Sequence, residues 1–138
     1  MATTASISLS SDITGDSISI NETTTLTKSG SNVTNLDQFT GVNTVYYAAA
    51  QTETNIIAAA DYADTKVAHK VYIRNANTST TCTVEVDIDS TANEPLGILY
   101  YGDWTFFPWM GTKDIDISTN EVGVTVEFAV ISQSVASL

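Results

Sequence analysis

The chain has 138 residues, enough for one domain that buries about two-thirds of its unfolded surface without a metal or disulfide to hold it together. Only 5 basic residues stand against 16 acidic ones, which gives a formal net charge of -11. Such a charge repels phosphates and provides no counterion release, so the composition argues against nucleic acid or an anionic membrane as a partner. Cys82 is the only cysteine, which excludes an internal disulfide and a multi-cysteine metal site.

The start of the sequence has neither the charged nor the apolar part of a secretory leader, and no run approaches the ~20 apolar residues of a membrane helix. We therefore expect a protein that is made and used in solution, with its thiol in a reducing cytosol. Threonine and serine are abundant, whereas the strong helix formers Lys, Arg, Gln, Glu and Met are scarce. This composition predicts an all-β chain.

The first segment, residues 1–40, is polar, small in its side chains and poor in aromatic residues, with strand candidates at 6–9, 17–20 and 23–28. Two interpretations of it remain open. It is either an N-terminal arm that wraps a neighbouring subunit or a set of edge strands that completes the main domain. Dense strand patterns begin near Val42, so residues 41–138 are predicted to form an antiparallel β-sandwich that resembles a jelly roll.

Within this domain, residues 42–47 are a strand candidate, and residues 48–60 are predicted to be mostly loop with one short helical turn. Two alternating segments follow at 66–74 and 81–89, and the turn-rich residues between them predict an antiparallel hairpin. Its basic residues would then form exposed ion pairs, which is a simpler interpretation than a phosphate-binding site. The predicted register pairs Ile73 with Cys82, Val71 with Val84, Val67 with Ile88, Lys70 with Glu85, and Lys66 with Asp89.

Further strands are predicted at 97–101, 105–107 and 114–118. The longest pattern spans residues 122–131, where Val124, Val126 and Val130 alternate with small or polar residues. Its second face becomes apolar towards the end, which is typical of a strand in the middle of a sheet.

The reactive residue types are few. His69 lies between two valines on the predicted inward face of its strand, and no Ser, Cys or carboxylate shares a motif with it. We expect a buried, hydrogen-bonded histidine rather than a catalytic base. Cys82 also faces inward, where an aliphatic setting raises the pKa of a thiol. The sequence therefore predicts no enzyme.

Two acidic pairs, Asp87/Asp89 and Asp114/Asp116, have the i, i+2 spacing that puts both carboxylates on one face of a strand. Calcium accepts several carboxylate oxygens, so each pair is compatible with a cation. No EF-hand or glycine-aspartate repeat accompanies them, and carboxylates on the outer face of a strand are usually solvated. The sequence thus predicts no metal and no cofactor.

The most distinctive segment is 94–111, which contains both tryptophans and both prolines. Alternation sends Trp104 and Phe106 to one face and Phe107 and Trp109 to the other, so that one pair fills the core and the other lies outside. The Phe107 and Trp109 face is predicted to be a subunit contact, and exposed rings could instead stack on sugars. Pro108 indicates an edge or bulged strand. The candidate interface residues are Tyr100, Tyr101, Trp104, Phe106, Phe107 and Trp109.

Residues 65–131 resemble small virion proteins of tailed bacteriophages, especially phages of cyanobacterial and other aquatic hosts. The resemblance lies in two segments, Lys70-Val-Tyr-Ile-Arg-Asn75 and Glu94-Pro-Leu-Gly-Ile-Leu-Tyr-Tyr-Gly-Asp-Trp-Thr-Phe-Phe-Pro-Trp109. It implies an all-β structural protein of the particle, and the small size and acidity are similar to those of capsid decoration, or cement, proteins. Such proteins commonly form trimers over local threefold positions of the shell.

The resemblance thus predicts a decoration protein on the capsid surface, assembled in the host cytoplasm, that forms a homotrimer and clamps the major capsid protein. An alternative from another class is a receptor- or glycan-binding module of a tail or head fibre, in which external aromatic rings stack on sugars. A minor tail or neck component is a third possibility.

Overall fold

The computed structural model describes residues 3–13, 16–26, 38–62, 67–89 and 95–134. These ranges contain strands and one short 3-10 turn at Ala59–Asp61, and no α-helix. The all-β prediction is confirmed. The strands are β1 (Thr3–Ile13), β2 (Asp16–Leu26), β3 (Gln38–Phe39), β4 (Asn43–Tyr47), β5 (Thr54–Ile57), β6 (Val67–Asn75), β7 (Val84–Ile88), β8 (Pro95–Leu99), β9 (Trp104–Trp109), β10 (Ile115–Thr119) and β11 (Val124–Ser134).

Two antiparallel sheets form a β-sandwich. The front sheet has the order β3-β11-β6-β9, and β4 pairs with β11 next to β3. The back sheet has the order β5-β10-β7-β8. The strand β11 lies between β6 and the β3/β4 edge, which confirms the prediction of a central strand. Among the described pairings β9 contacts β6 alone, so Pro108 lies on an edge strand as expected.

The core lies between the two sheets and consists mainly of β-branched side chains. Val71 and Ile73 of β6 belong to the same buried cluster as Val84 and Val86 of β7. β-Branched side chains pack well on a pleated surface, and their alternation along each strand fills one face only. The cluster also contains Ile57, Cys82, Leu99, Trp109, Ile115, Ile117, Val124, Val126 and Val130.

The predicted hairpin of residues 66–89 is wrong. The strand β6 belongs to the front sheet, between β11 and β9, whereas β7 belongs to the back sheet, between β10 and β8. The alternation was correct, but the apolar faces of the two strands meet across the sandwich instead of side by side. The expected pairing of Lys70 with Glu85 is therefore absent, and Arg74 instead contacts Glu127 of β11 at 3.5 Å.

Asn75, the last residue of β6, stabilises the segment in which the chain passes from the front sheet to the back sheet. Its buried side-chain amide donates to the carbonyls of Cys82 and Leu99, at 3.1 and 3.0 Å. Its side-chain oxygen accepts from the amide of Asn77, whose own side chain contacts Thr125. These bonds satisfy backbone groups that strand pairing leaves open where the chain crosses between sheets.

Two other segments differ in part from expectation. Residues 48–60 contain the strand β5 as well as the predicted helical turn, because Ile57 supplies a fully buried side chain to the core. Strand β11 begins at Val124, two residues later than predicted, and Val122 is exposed in the preceding turn.

The strands β1 and β2 form a long hairpin of their own. They pair from Thr3 with Leu26 to Ile13 with Asp16. Among the described pairings neither strand joins a sheet of the sandwich, whereas β3, from the same first segment, pairs with the end of β11. We call β1 and β2 together the arm.

We expect replacement of Asn75 by alanine to lower the free energy of unfolding by about 1–3 kcal/mol for each buried carbonyl left without a donor. Urea denaturation measures this change. Asn21→Ala, at an exposed position of the arm, is the matched control and should change stability by no more than about 0.5 kcal/mol. Equal stability of the two variants would contradict the role given to Asn75.

Candidate contact surface

Side-chain alternation along β9 determines which aromatic residues face outward. Phe107 and Trp109 point into the sandwich, where Trp109 is part of the core and Phe107 packs against it. Trp104, by contrast, is 52% exposed and Phe106 is half-buried on the opposite face. The alternation was predicted correctly, but the proposal that Phe107 and Trp109 form the external contact is wrong, because these two rings close one end of the core.

Trp109 is 6% exposed, and its indole N–H donates to the carbonyl of Lys113 at 3.0 Å. Its ring centroid lies 5.5 Å from that of Tyr62 and 5.5 Å from that of His69. The contact with Tyr62 is edge-to-face, a geometry that adds stability beyond the buried area. The next turn passes close to the same cluster, since a side chain at Gly111, with φ of +73°, would meet the His69 ring at 2.9 Å.

His69 is buried and hydrogen-bonded, as predicted. Its Nδ1 lies 2.8 Å from the Ser132 hydroxyl, and its Nε2 lies 3.1 Å from the carbonyl oxygen of Tyr62. A carbonyl only accepts, so Nε2 carries the proton in the neutral ring, and Nδ1 accepts from Ser132. Ser132 lies opposite His69 on the paired strand β11, and no pattern in the sequence pointed to it. Both side chains are almost fully buried, so a substrate cannot reach the pair.

The outer face of the front sheet carries a second aromatic group. Tyr72 is in register with Phe106, and its ring centroid lies 6.4 Å from that of Trp104. A cleft of about 310 Å³ separates these three rings from the arm, where Ala5 and Ile7 line its other wall. The residues proposed from the sequence for the candidate surface did not include Tyr72.

The turn between β8 and β9 adds two exposed rings, Tyr100 and Tyr101. The Tyr100 amide donates to the Asp103 side chain at 3.0 Å, and the Asp103 amide donates back to the Tyr100 carbonyl at 3.0 Å. Gly102 has φ of +77°, which favours glycine at this position of the turn. Because β8 and β9 are edge strands of the two sheets, these rings and Trp104 lie on the same side of the sandwich.

The arm has one apolar and one polar face. Leu9 is in register with Ile20 and Ile7 with Glu22, and the three aliphatic side chains are exposed. On the other face, the hydroxyls of Ser6 and Thr23 hydrogen-bond at 2.9 Å. The alternation of Ile7 and Leu9 with serines could have revealed this face in the sequence, but the polar composition of the segment concealed it.

Cys82 has the predicted inward position and is almost fully buried. Burial raises the pKa of its thiol and the Glu121 carboxylate adds to the rise, while a hydrogen bond with Asn75 opposes it. A thiol in this setting is protonated and a poor nucleophile at neutral pH.

The two acidic pairs predicted from the sequence meet on adjacent strands. Asp87 of β7 is in register with Asp116 of β10, and the Asp89 amide donates to the Asp114 carbonyl at 3.0 Å. The carboxylate of Asp114 accepts a hydrogen bond from the Ala59 amide at 2.7 Å. The carboxylate of Asp89 forms an ion pair with Lys113. Across the described ranges, no three His, Cys, Asp or Glu side chains form a group that could enclose a metal ion.

Comparisons of the chain with protein-family models, with curated proteins and with solved structures found no match. Within the described ranges, no helix is long and apolar enough to cross a membrane.

We expect Trp109→Ala and Trp104→Ala to differ sharply in stability. Loss of the buried Trp109 ring should cost about 3–5 kcal/mol of unfolding free energy, whereas loss of the half-exposed Trp104 ring should cost no more than about 1 kcal/mol. Denaturant titration of both variants, which lose the same side chain, checks the assignment. A larger loss for Trp104→Ala would reverse it.

Proposed function

We propose that this chain is a structural protein of a bacteriophage particle, and that it decorates the capsid by binding the major capsid protein shell. The observation that carries the proposal is the arm, which presents Ile7, Leu9 and Ile20 to solvent outside the sandwich. A two-stranded hairpin is marginally stable alone, so an amphipathic arm of this length is best explained by a surface that covers it after assembly.

The shape of the chain supports an assembly role. The sandwich has a complete core of its own, while the arm has few contacts with it. In the proposed assembly the arm binds a neighbouring protein, and the side of the sandwich with Tyr100, Tyr101 and Trp104 forms a second contact. Aromatic residues are enriched at protein interfaces, and two contacts on one chain allow it to connect two subunits.

The proposed mechanism is stabilisation by mass action. A protein that binds only the assembled shell shifts the equilibrium away from disassembly. The resemblance to phage decoration proteins supports a homotrimer at the capsid surface, assembled in the host cytoplasm. The net charge of -11 directs the protein away from the packaged DNA and towards protein surfaces.

The arm provides the test. We expect the double variant Leu9→Ser, Ile20→Ser to keep the thermal stability of the sandwich but to lose binding to purified shells that lack the protein. The control is Ser8→Ala with Ser19→Ala on exposed positions of the other face of the arm, and it should bind as the wild type does. Sedimentation with shells measures binding, and the temperature of DNA release measures stabilisation.

Wild-type binding by the double variant would overturn the role of the arm. Failure of the wild-type chain itself to bind shells, or to raise the temperature of DNA release, would overturn the decoration function.

Glycan binding by a fibre module is the second candidate, and the cleft between Tyr72 and Trp104 favours it. An exposed Trp104 ring, with Thr24 on the facing wall of the cleft, is compatible with stacking on a sugar. Binding on a glycan array that Trp104→Ala abolishes, with stability unchanged, would support this function over decoration.

The number of copies in purified particles distinguishes a decoration protein from a minor tail or neck component, since decoration requires hundreds of copies.

A further inference from the structure

The cleft between the arm and the outer face of the front sheet has two different walls. One wall is aromatic and consists of Tyr72, Trp104 and Phe106. The other wall belongs to the arm, where Ile7 and Glu22 are directly paired. Paired residues of an antiparallel ladder project from the same face, so the carboxylate of Glu22 lies beside the Ile7 side chain on the face that lines the cleft.

The aromatic wall has ring surface to offer to a ligand. The ring centroids of Tyr72 and Trp104 lie 6.4 Å apart and their planes are inclined by 39°, so the two rings do not stack flat on each other. Trp104 is 52% exposed. The face of an aromatic ring attracts a cation within about 6 Å of its centroid, and tryptophan does so most strongly. Several rings around one space form the arrangement with which proteins recognise quaternary ammonium groups.

Glu22 favours a positively charged ligand over a neutral one. It is the only charged side chain among the described residues that line the cleft. A neutral ligand would displace water from the carboxylate without pairing its charge, which is unfavourable, whereas a cation would be attracted to it. Lys70 and Arg74 flank Tyr72 along β6, but neither lines the cleft, and Arg74 contacts Glu127 at 3.5 Å.

We propose that this cleft binds a small organic cation with a methylated ammonium group, for which choline is the probe. The rings of Tyr72, Trp104 and Phe106 would contact the methyl groups, and Glu22 would supply the opposite charge from the arm. A bare ammonium ion is strongly hydrated, so a methylated one loses less when it leaves water for an aromatic surface. The cleft volume of about 310 Å³ lies at the lower end of the range for ligand pockets, which favours a small free molecule over a large partner.

A ligand in this position would link the arm to the sandwich, because it contacts both walls of the cleft. The net charge of -11 also favours the approach of cations over anions. The proposal concerns the free chain and does not rest on the decoration function. It is tested without shells, so its failure and the failure of capsid binding are separate results.

The test is a titration of the full chain with choline chloride, followed by calorimetry and by NMR of the indole N–H groups. The chain has two tryptophans, so one signal reports on the cleft and the other on the core. We expect one choline per chain and a saturable shift of the Trp104 signal. The Trp109 signal should stay in place, because its N–H donates to the carbonyl of Lys113 inside the fold.

The charge of the ligand is tested with dimethylbutanol, the uncharged alcohol in which carbon replaces the nitrogen of choline. It should bind about tenfold more weakly, since it has the same shape but no cation–π attraction. Glu22→Gln should weaken choline binding by about threefold or more. Glu53→Gln, which removes the same charge from an exposed position outside the cleft, is its matched control and should bind as the wild type does.

The aromatic wall is tested with Trp104→Ala, which should lose about tenfold or more in choline affinity. Tyr46→Ala, which removes an exposed ring outside the cleft, should keep wild-type affinity. Thermal denaturation of each variant shows that the fold is retained.

Four results would overturn the proposal: no saturable binding of choline, equal affinity for dimethylbutanol, wild-type affinity in Glu22→Gln, or wild-type affinity in Trp104→Ala. Equal affinity for an uncharged sugar such as methyl glucoside would also contradict it and would support the glycan function of the same cleft.

Discussion

The structure depends on the packing of two sheets whose inner faces consist mainly of β-branched side chains. Val71 and Ile73 of β6 meet Val84 and Val86 of β7 only because the chain crosses from one sheet to the other between them. That crossing exposes backbone groups that have no strand partner. Asn75 donates to the carbonyl of Cys82 in this crossing and to that of Leu99 at the end of β8, and Asn77 holds it in place, so a buried polar side chain supports the apolar packing.

The same sandwich explains why the two ends of β9 behave differently. At one end, Trp109 closes the core together with Tyr62 and His69. At the other, Trp104 stays exposed beside Tyr72 on the outer face. One strand thus supplies both stability and surface. The covered acidic residues of the back sheet and the exposed aliphatic residues of the arm are separate features, and neither is needed to complete the core.

The sequence allowed the faces of the strands to be predicted, but not their partners. Alternation placed Val71, Ile73, Val84 and Val86 on inward faces, and the structure agrees, because side-chain direction has a period of two along any strand. Partners depend on contacts between distant segments, and the short separation of β6 and β7 made a hairpin look natural. For β9 both faces are aromatic, so alternation could not indicate which pair is buried. The apolar face of the arm was concealed by serine and threonine, and the meeting of Asp87 with Asp116 required the pairing of β7 with β10.

The central proposal is that a self-sufficient sandwich carries an arm that another protein of a particle covers and stabilises. Amide hydrogen exchange of the chain, free in solution and bound to shells, tests it most directly. The account predicts that amides of β6 and β11 exchange slowly in both states, whereas those of β1 and β2 exchange rapidly in the free chain and slowly when bound. Equal protection of the arm in the two states would contradict it.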